Sequence, residues 1–302
     1  MDGILSIDKI KGETSFSVVA AVRRMTGEKR VGHGGTLDPL ATGVLPVLLG
    51  KATRVAQFLL DHSKEYRAEV RFGLTSDSGD ADGKISPGGD VSEIDESAIR
   101  SALKTFIGEI KQTPPMFSAL KHRGTPLYEL ARAGITVDRA ERTVEVHAIT
   151  LVSWNKPIAT IDVVCSRGTY IRTLAQDLGH ALSCGAYLAG LRRISYGPFE
   201  AENSVTVEQL REAVKLGDWP RLLHPVDSCL DHLPRMLVPA QVAEFVTHGR
   251  PFSPKDLASD LGPSEEARNH VRHRAYTLDG SFLGVLVFNS EKDEWQPEKV
   301  FL

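Results

Sequence analysis

Three residues far apart in the sequence have side chains that could act together on a planar substrate. Asp38 offers a carboxylate, Tyr66 an aromatic face, and Arg172 a cation that would keep the carboxylate ionised. The alternative for Asp38 is a turn aspartate that binds nearby backbone amides, since Asp is common before Pro. Composition alone favours the turn aspartate, and spacing does not decide whether the three residues meet.

The sequence contains none of the common signatures for nucleotide or metal chemistry. Gly43, Gly50 and Lys51 do not have the spacing of a phosphate-binding P-loop, and alanine follows Lys51. No GxGxxG turn, GxSxG nucleophile elbow or HExxH zinc motif occurs. The ten histidines are scattered, so nothing in the sequence indicates a metal site.

The acidic segment at residues 76–90, SDSGDADGKISPGGD, raises the question of calcium. An EF-hand loop needs an acid or amide at its first position and Glu at its last. Aligned on the central acidic residues, these positions hold Ser78 and Gly89, so the match fails at both ends. We therefore expect a surface loop rich in turns.

Each of the three candidate residues lies next to a predicted element. Asp38 follows Gly34 and Gly35, which permit unusual backbone angles, and it precedes an apolar strand. Tyr66 lies in KEYRAEVRFG, whose strict alternation predicts a half-buried strand with Tyr66 on the core side. Arg172 follows a buried strand and a tight turn, in a helix for which Thr169 is the expected N-cap.

The composition is that of a globular protein with reduced cysteines. The 302 residues include 41% hydrophobic and 25% charged residues, and the N-terminus does not resemble a signal peptide, so we expect a soluble cytoplasmic protein. The three cysteines form neither a disulfide pattern nor a metal knuckle. Net charge is −3, yet basic residues outnumber acidic ones between residues 101 and 200. That excess is either one basic face for phosphates or ordinary solvated charge.

Four sequence blocks together resemble one protein family. They are HGGTLDPLATGVLPVLLGKAT from His33, KEYRAEVRFG, SRGTYIRTLAQDLG and LRRISYGPF. They resemble the motifs of the TruB family of tRNA pseudouridine synthases, in the family's order and spacing. QTPPMFSALKHRGTPLYELARAGI resembles part of its RNA-gripping insertion. The sequence departs from the family's KPxGxTS motif at Ile10, which replaces the proline and should loosen a turn.

The resemblance implies an α+β protein with two units. Residues 1–230 would form the catalytic domain with the pseudouridine synthase fold, a mixed central sheet with helices and a catalytic cleft. Within it, residues 111–145 would form the RNA-gripping insertion. Residues 231–302 resemble a small PUA-like RNA-binding β-barrel, more weakly. That last unit has more acidic than basic residues, which argues against a strong RNA contact.

The resemblance also implies an activity, the isomerisation of uridine 55 in the T loop of tRNA to pseudouridine. Asp38 would be the catalytic carboxylate, either attacking C1′ or removing the 2′ proton, and the sequence leaves both routes open. Arg172 would pair with it. Tyr66 would stack on the uracil and take the C5 proton. Tyr170 and Leu191 would line the pocket, and His33 would fill the space left by the flipped base.

The implied partner is the T arm of tRNA, without a cofactor, a metal or a membrane, and with the enzyme as a monomer. Basic residues of the insertion would bind phosphates and make RNA binding steeply salt-dependent. These residues are Lys111, Lys121, Arg123, Arg132, Arg139 and Arg142.

Two other functions remain open from the residues. An RNA-folding factor would need the basic insertion but not the combination of Asp38, Tyr66 and Arg172. A glycoside hydrolase would need two facing carboxylates, and the sequence offers only one credible candidate.

Overall fold

The computed structural model describes residues 1–257 and 272–301. Its strands are β1 (Gly3–Lys9), β2 (Val31–His33), β3 (Thr42–Leu49), β4 (Lys64–Phe72), β5 (Leu74–Ser76), β6 (Ile85–Pro87), β7 (Gly108–Gln112), β8 (Lys121–His122), β9 (Thr125–Pro126), β10 (Arg142–Asn155), β11 (Ile158–Cys165), β12 (Ala186–Tyr196), β13 (Phe199–Glu200), β14 (Arg235–Val238), β15 (His273–Thr277), β16 (Phe282–Asn289) and β17 (Glu294–Val300).

Its α-helices are α1 (Ser15–Thr26), α2 (Ala56–Leu59), α3 (Glu96–Lys104), α4 (Leu127–Arg132), α5 (Ile171–Ala181), α6 (Val207–Leu216) and α7 (Ala240–Thr247). Short 3-10 helices cover Gly50–Val55, Ala201–Asn203, Trp219–Leu222, Val226–Leu230 and Pro254–Asp256. None of the described helices is both long and apolar enough to cross a membrane.

The large sheet has nine strands of mixed direction. Seven lie side by side in the order β1-β3-β12-β4-β11-β10-β7, with β2 beside β3 and β13 beside β12. β3 and β12 run parallel through the pairs Thr42–Arg192 and Gly43–Arg193, and the other described neighbours are antiparallel. The predicted mixed central sheet is confirmed. The parallel contact places the strand after Asp38 beside the strand that carries Leu191.

Strand β4 has the alternation that the sequence predicts. Tyr66 and every second residue after it are buried, whereas the residues between them are exposed or half-buried. The strand lies between β11 and β12, so Tyr66 is opposite Val163 on one side and Arg193 on the other. Lys64 shares the buried face with Tyr66 because the side chains of a strand repeat every two residues.

Helix α5 begins one residue later than expected. Tyr170, not Thr169, is the N-cap, and the Thr169 hydroxyl instead donates to the carbonyl of Ser166 at 3.1 Å. The backbone N–H of Tyr170 donates to the side-chain oxygen of Gln112 at 2.9 Å, which ties the start of the helix to β7. Arg172 lies in the first helical turn, as the sequence predicts.

A second sheet follows near the C-terminus. β14, β15, β16 and β17 lie in that order, with β14 parallel to β15. Val285 and Phe301 belong to the same hydrophobic cluster as Phe58 and Tyr196, so this sheet packs against the first part of the chain. The predicted small C-terminal β unit is confirmed as a four-stranded sheet. Its closure into a barrel and the boundary near residue 230 stay predictions.

The segment between β7 and β10 leaves the large sheet. It contains the short β8–β9 hairpin and helix α4, whose first residue, Leu127, is buried. The segment lies within residues 111–145, and its assignment as the RNA-gripping insertion stays a prediction. A hydrogen bond at 2.9 Å from Arg139 to the carbonyl of Pro114 joins the two ends of the segment.

The three cysteines are free and buried, as the sequence predicts. Burial raises the pKa of the Cys165 thiol to about 11 and that of Cys229 to about 12. These thiols therefore stay protonated at neutral pH and are poor nucleophiles.

Candidate active site

Asp38 begins a turn whose flanking residues, Leu37 and Pro39, are both held by hydrogen bonds to other parts of the chain. Its carbonyl accepts from the N–H of Ala41 at 3.0 Å, and Pro39 occupies the second position, as a β-turn favours. The Pro39 carbonyl accepts from Gly12 at 2.8 Å, and the N–H of Leu37 donates to the Ser15 hydroxyl at 2.8 Å. The backbone of Asp38 therefore belongs to a turn, but its carboxylate accepts no hydrogen bond from a backbone amide within the described residues. The interpretation of Asp38 as an aspartate that binds nearby backbone amides is not supported, and its side chain is available for other contacts.

The glycines before Asp38 are explained by packing rather than by unusual backbone angles. Neither Gly34 nor Gly35 has a positive φ, so the expectation from the sequence was wrong. A Cβ at Gly34 would lie 2.7 Å from Leu59, and one at Gly35 would lie 3.2 Å from the Tyr196 ring. The Tyr196 hydroxyl donates to the Gly34 carbonyl at 2.8 Å, and Arg193 donates to the Gly35 carbonyl at 3.2 Å.

Arg172 binds two carboxylates at once. Its Nε lies 3.1 Å from Oδ2 of Asp38, and its Nη1 lies 3.4 Å from Oδ2 of Asp80. The guanidinium also donates to the carbonyls of Phe117 at 2.7 Å and Ser78 at 3.4 Å. The Arg172 side chain is 5% exposed, whereas that of Asp38 is 36% exposed. The arginine is held from several sides, and Asp38 faces the opening.

Asp80 is a site residue that sequence reasoning missed. It lies in the β5–β6 hairpin, which we expected to be a surface loop, yet it is 5% exposed. The Ser78 hydroxyl donates to its carboxylate, as does the N–H of Asp82 at 3.2 Å. The site therefore has a second carboxylate, which is buried, whereas that of Asp38 is partly exposed. Because both carboxylates contact the Arg172 guanidinium, they do not present the open facing pair of a glycoside hydrolase.

A cavity of about 320 Å³ opens beside Asp38, within the size range of ligand sites. Five predicted residues line it: Asp38, Tyr66, Tyr170, Arg172 and Leu191. His33 is not among the lining residues. It ends β2 opposite Val47, with its Nδ1 buried and without a hydrogen-bond partner in the described part of the chain.

The electrostatics of the cavity raise the pKa of Asp38. Burial is the largest cause and Asp80 adds to it, whereas Arg172 lowers the pKa by favouring the charged form. Burial dominates despite the partial exposure because the exposed part faces the cavity. Burial also raises the pKa of Tyr66, and the nearby Arg193 opposes that rise.

Two buried cations in the cavity wall were also missed. Lys64 is 8% exposed and Arg193 is 1% exposed, and both line the cavity. Lys64 donates to the His62 carbonyl at 2.8 Å, and its ammonium lies 4.2 Å from the centroid of the Tyr196 ring. Alternation along β4 was a usable signal for Lys64, because it placed the lysine on the same face as Tyr66.

The basic residues of the insertion lie outside this cavity. Lys121, Arg123 and Arg132 are exposed, and no ion pair joins them to a carboxylate within residues 1–257 and 272–301. Arg132 stacks over Tyr128 at 5.6 Å from the ring centroid. The structure therefore separates these three residues from the group around Asp38 and leaves them facing solvent.

One group in the described residues has metal-ligand side chains: His62, Asp231 and His232, whose ligand atoms lie within 4.8 Å of one another. Nε2 of His62 is 2.6 Å from the carbonyl of Cys229, so one of its nitrogens is already used. The group lies outside the cavity lining, and we assign no metal to it.

Comparisons with known proteins agree with this geometry. The TruB family pseudouridylate synthase N-terminal domain matches residues 23–171, and the tRNA pseudouridylate synthase B C-terminal domain matches residues 172–231. A protein of Burkholderia mallei named tRNA pseudouridine synthase B is 44% identical over 285 residues, covering 94% of this chain and 92% of that protein. A Dehalococcoides mccartyi protein of the same name is 42% identical over 303 residues, covering 100% of this chain and 97% of its own.

Solved structures support the fold. A crystal structure of a Cbf5-Nop10-Gar1 complex contains a chain that matches with a TM-score of 0.77 and 29% identity, covering 99% of this chain and 85% of that one. An H/ACA RNP bound to a substrate RNA containing 2′-deoxyuridine matches with a TM-score of 0.75 and 27% identity, with coverage of 99% and 85%. The resemblance read from the sequence is confirmed: the chain belongs to the TruB family of pseudouridylate synthases.

Proposed function

We propose that this enzyme isomerises uridine 55 in the T loop of tRNA to pseudouridine. The observation that carries the proposal is the 3.1 Å contact between Arg172 and Asp38 at the cavity. It supplies a carboxylate held beside a buried cation, where a flipped nucleotide could enter. The names of the relatives, which match nearly the whole chain, support tRNA as the substrate.

In this reaction the N1–C1′ bond breaks, the uracil turns in place, and C5 joins C1′. Asp38 either attacks C1′ or removes the 2′ proton, and both roles need the ionised carboxylate. The Arg172 guanidinium favours that form, and the turn that begins at Asp38 holds it in place. The detached uracil must stay in the cavity, so the wall has to exclude water.

The other cavity residues would hold the base. Tyr66 lies on the buried face of β4, where its ring can stack on uracil and its phenol can take the C5 proton. Tyr170 and Leu191 would bound the pocket. We propose that His33, at the end of β2, fills the space in the RNA that the flipped nucleotide leaves.

The substrate would be read as a loop, not as a duplex. Unstacking a nucleotide costs a few kcal/mol, and a folded single-stranded loop reduces that cost. Lys121, Arg123 and Arg132 would bind the surrounding phosphates. We further propose that residues 231–302 form a separate PUA-like unit and that the enzyme acts as a cytoplasmic monomer.

The test is direct. An unmodified tRNA transcript is incubated with the enzyme, and pseudouridine is mapped by carbodiimide treatment and primer extension. Wild type should convert the T-loop uridine, and Asp38→Asn should be slower by at least about 10³-fold. A transcript with cytidine at that position is the control for background stops.

Binding separates the two remaining explanations. If Asp38→Asn binds tRNA as wild type does but makes no pseudouridine, Asp38 acts in the chemistry. If folded wild type binds tRNA and modifies no uridine, the proposal is wrong and the chain is better described as an RNA-folding factor.

A further inference from the structure

The inner wall of the cavity contains two buried positive charges, and no carboxylate of the described residues contacts either of them directly. Lys64 and Arg193 line it and are nearly fully buried, and neither forms an ion pair within the part of the chain that the structure describes. Arg193 donates to the carbonyls of Val44 at 2.7 Å and Gly35 at 3.2 Å. Burying a charge without an opposite partner is costly, so a ligand that supplies negative charge would offset that cost.

Lys64 has donor capacity left for such a ligand. An ammonium has three N–H donors, and one is used on the His62 carbonyl. The ammonium lies over the Tyr196 ring, whose electron-rich face favours the charged form. Because Lys64 and Tyr66 are two residues apart on the buried face of β4, a base stacked on Tyr66 would lie next to Lys64.

The reaction creates negative charge at this place. When the N1–C1′ bond breaks, its electron pair stays on N1, and the detached uracil is an anion with charge shared among N1 and the ring carbonyl oxygens. This holds whether Asp38 forms a bond to C1′ or takes the 2′ proton. When C5 bonds to C1′, the bond between Asp38 and C1′ breaks in the first route, and the sugar takes its 2′ proton back from Asp38 in the second. The C5 proton then passes to a base and N1 gains a proton, so the uracil in the product is neutral.

We propose that Lys64 is a catalytic residue whose ammonium, with Arg193 beside it, binds and stabilises the detached uracil anion. This inference rests on the proposed function. Fixed donors aimed at developing charge in a water-poor site are among the strongest catalytic devices. Lys64 would act in the bond-breaking step and would contribute little to the binding of intact tRNA.

The proposal has a consequence for pH dependence. The pKa of Lys64 is lowered to about 8, chiefly by burial. Arg193 of β12 and Arg167 after β11 contribute to the lowering, whereas Cys165 of β11 and Asp61 before β4 oppose it. Lys64 is thus mostly charged at neutral pH and loses its charge as the pH rises through about 8. The rate of the chemical step should therefore fall on the alkaline side of about pH 8.

The experiment compares single-turnover rates of wild type, Lys64→Met and Lys64→Arg from about pH 6 to about pH 9.5, with tRNA affinity measured alongside. Lys64→Met should lose about 10²-fold at neutral pH and should lose the alkaline fall, with unchanged affinity. Lys64→Arg keeps its charge at every pH used, so it should recover much of the rate without the alkaline fall. Lys215→Met, at an exposed lysine of α6, is the control.

Several outcomes would overturn the proposal. An alkaline fall that persists in Lys64→Met would assign it to another group, such as Lys9, whose pKa burial also lowers to about 8. Weakened affinity with an unchanged rate would make Lys64 a phosphate contact. If Lys64→Met does not fold, an alkaline fall in Lys64→Arg decides against the proposal. If wild type forms no pseudouridine, the proposed function fails first, and this inference fails with it.

Discussion

The cavity and the insertion use charge in opposite ways. In the cavity, Arg172 is 5% exposed and contacts two carboxylates and two backbone carbonyls. In the insertion, Lys121 and Arg123 are exposed, and neither forms an ion pair in the described residues. Buried charges interact strongly and depend on exact geometry, whereas exposed charges are screened by salt and act almost independently.

This difference predicts two kinds of mutational effect. A change in the cavity should alter the rate of the chemical step because it moves or unpairs a buried charge. A change in the insertion should alter tRNA affinity and its salt dependence, because each exposed cation releases counterions from a phosphate. Three sets of variants test whether changes in the cavity affect the rate and changes in the insertion affect tRNA affinity.

The largest effect should come from Arg172→Lys. Lysine keeps the charge but cannot bridge Asp38 and Asp80 while donating to the Phe117 carbonyl, because it lacks the planar fork. We expect the single-turnover rate to fall by about 10²- to 10³-fold with little change in affinity. The measurement is the rate of pseudouridine formation with enzyme in excess over tRNA.

Arg67→Lys is the matched control for that experiment. Arg67 forms a two-point contact with Asp162 at 2.8 and 2.7 Å on the exposed face of β4. Exposed pairs contribute little, so its rate should stay near that of wild type. Equal losses in Arg67→Lys and Arg172→Lys would contradict a special role for the buried pair.

A smaller effect is expected from Asp80→Asn. Losing the second carboxylate removes one anchor of Arg172, so the maximal rate should fall by about 10-fold. The pH profile should move as well. In the proposed reaction Asp38 acts as the ionised carboxylate, so the proposal predicts that activity is lost as the pH falls through the pKa of Asp38. Because the charge of Asp80 raises that pKa, Asp80→Asn should shift the acid side of the profile to lower pH.

The measurement is the single-turnover rate from about pH 4.5 to about pH 7. Asp77→Asn is the control, since Asp77 lies in the same hairpin, is exposed, and accepts from the N–H of Lys84 at 2.8 Å. A shift to higher pH in Asp80→Asn, or an equal shift in Asp77→Asn, would show that Asp80 does not set the pKa of Asp38.

The features of the fold that could be predicted from the sequence are those that depend on residues close to one another in the chain. The β4 strand and the burial of Tyr66 were predictable because apolar and polar residues alternate along this segment, and the folded strand keeps that alternation as buried and more exposed side chains. The start of α5 was missed by one residue, because Gln112, distant in sequence, ties the N–H of Tyr170 to β7. Contacts between residues that are near in sequence produce a pattern that can be recognised in the sequence. Contacts between distant segments produce almost no such pattern.

The site was predicted less completely for the same reason. Family motifs located Asp38, Tyr66 and Arg172, and the structure places all three at one cavity. Asp80 could not be found from its own surroundings, which look like an exposed turn, because its burial depends on an arginine that lies far along the chain. Lys64 could have been found, since the alternation that located Tyr66 applies to it too.

The smallest effect on chemistry should come from the triple variant Lys121→Ala, Arg123→Ala and Arg132→Ala. These side chains are exposed and lie outside the cavity, so the single-turnover rate at saturating enzyme should be nearly unchanged. Affinity for tRNA should fall by about 10-fold near physiological salt. The slope of log affinity against log salt should become shallower by roughly 2 to 3, about one unit for each lost phosphate contact.

Filter binding across a range of salt concentrations gives both the tRNA affinity and its salt dependence. The control variant replaces three exposed basic residues elsewhere, Lys104, Arg211 and Lys215, and should keep the slope of wild type. A wild-type affinity that is flat between low and physiological salt would contradict phosphate binding by the insertion. A loss of rate at saturating enzyme in the triple variant would show that the insertion also shapes the cavity. The hydrogen bond from Arg172 to the carbonyl of Phe117, which lies in the insertion, would then couple the two regions.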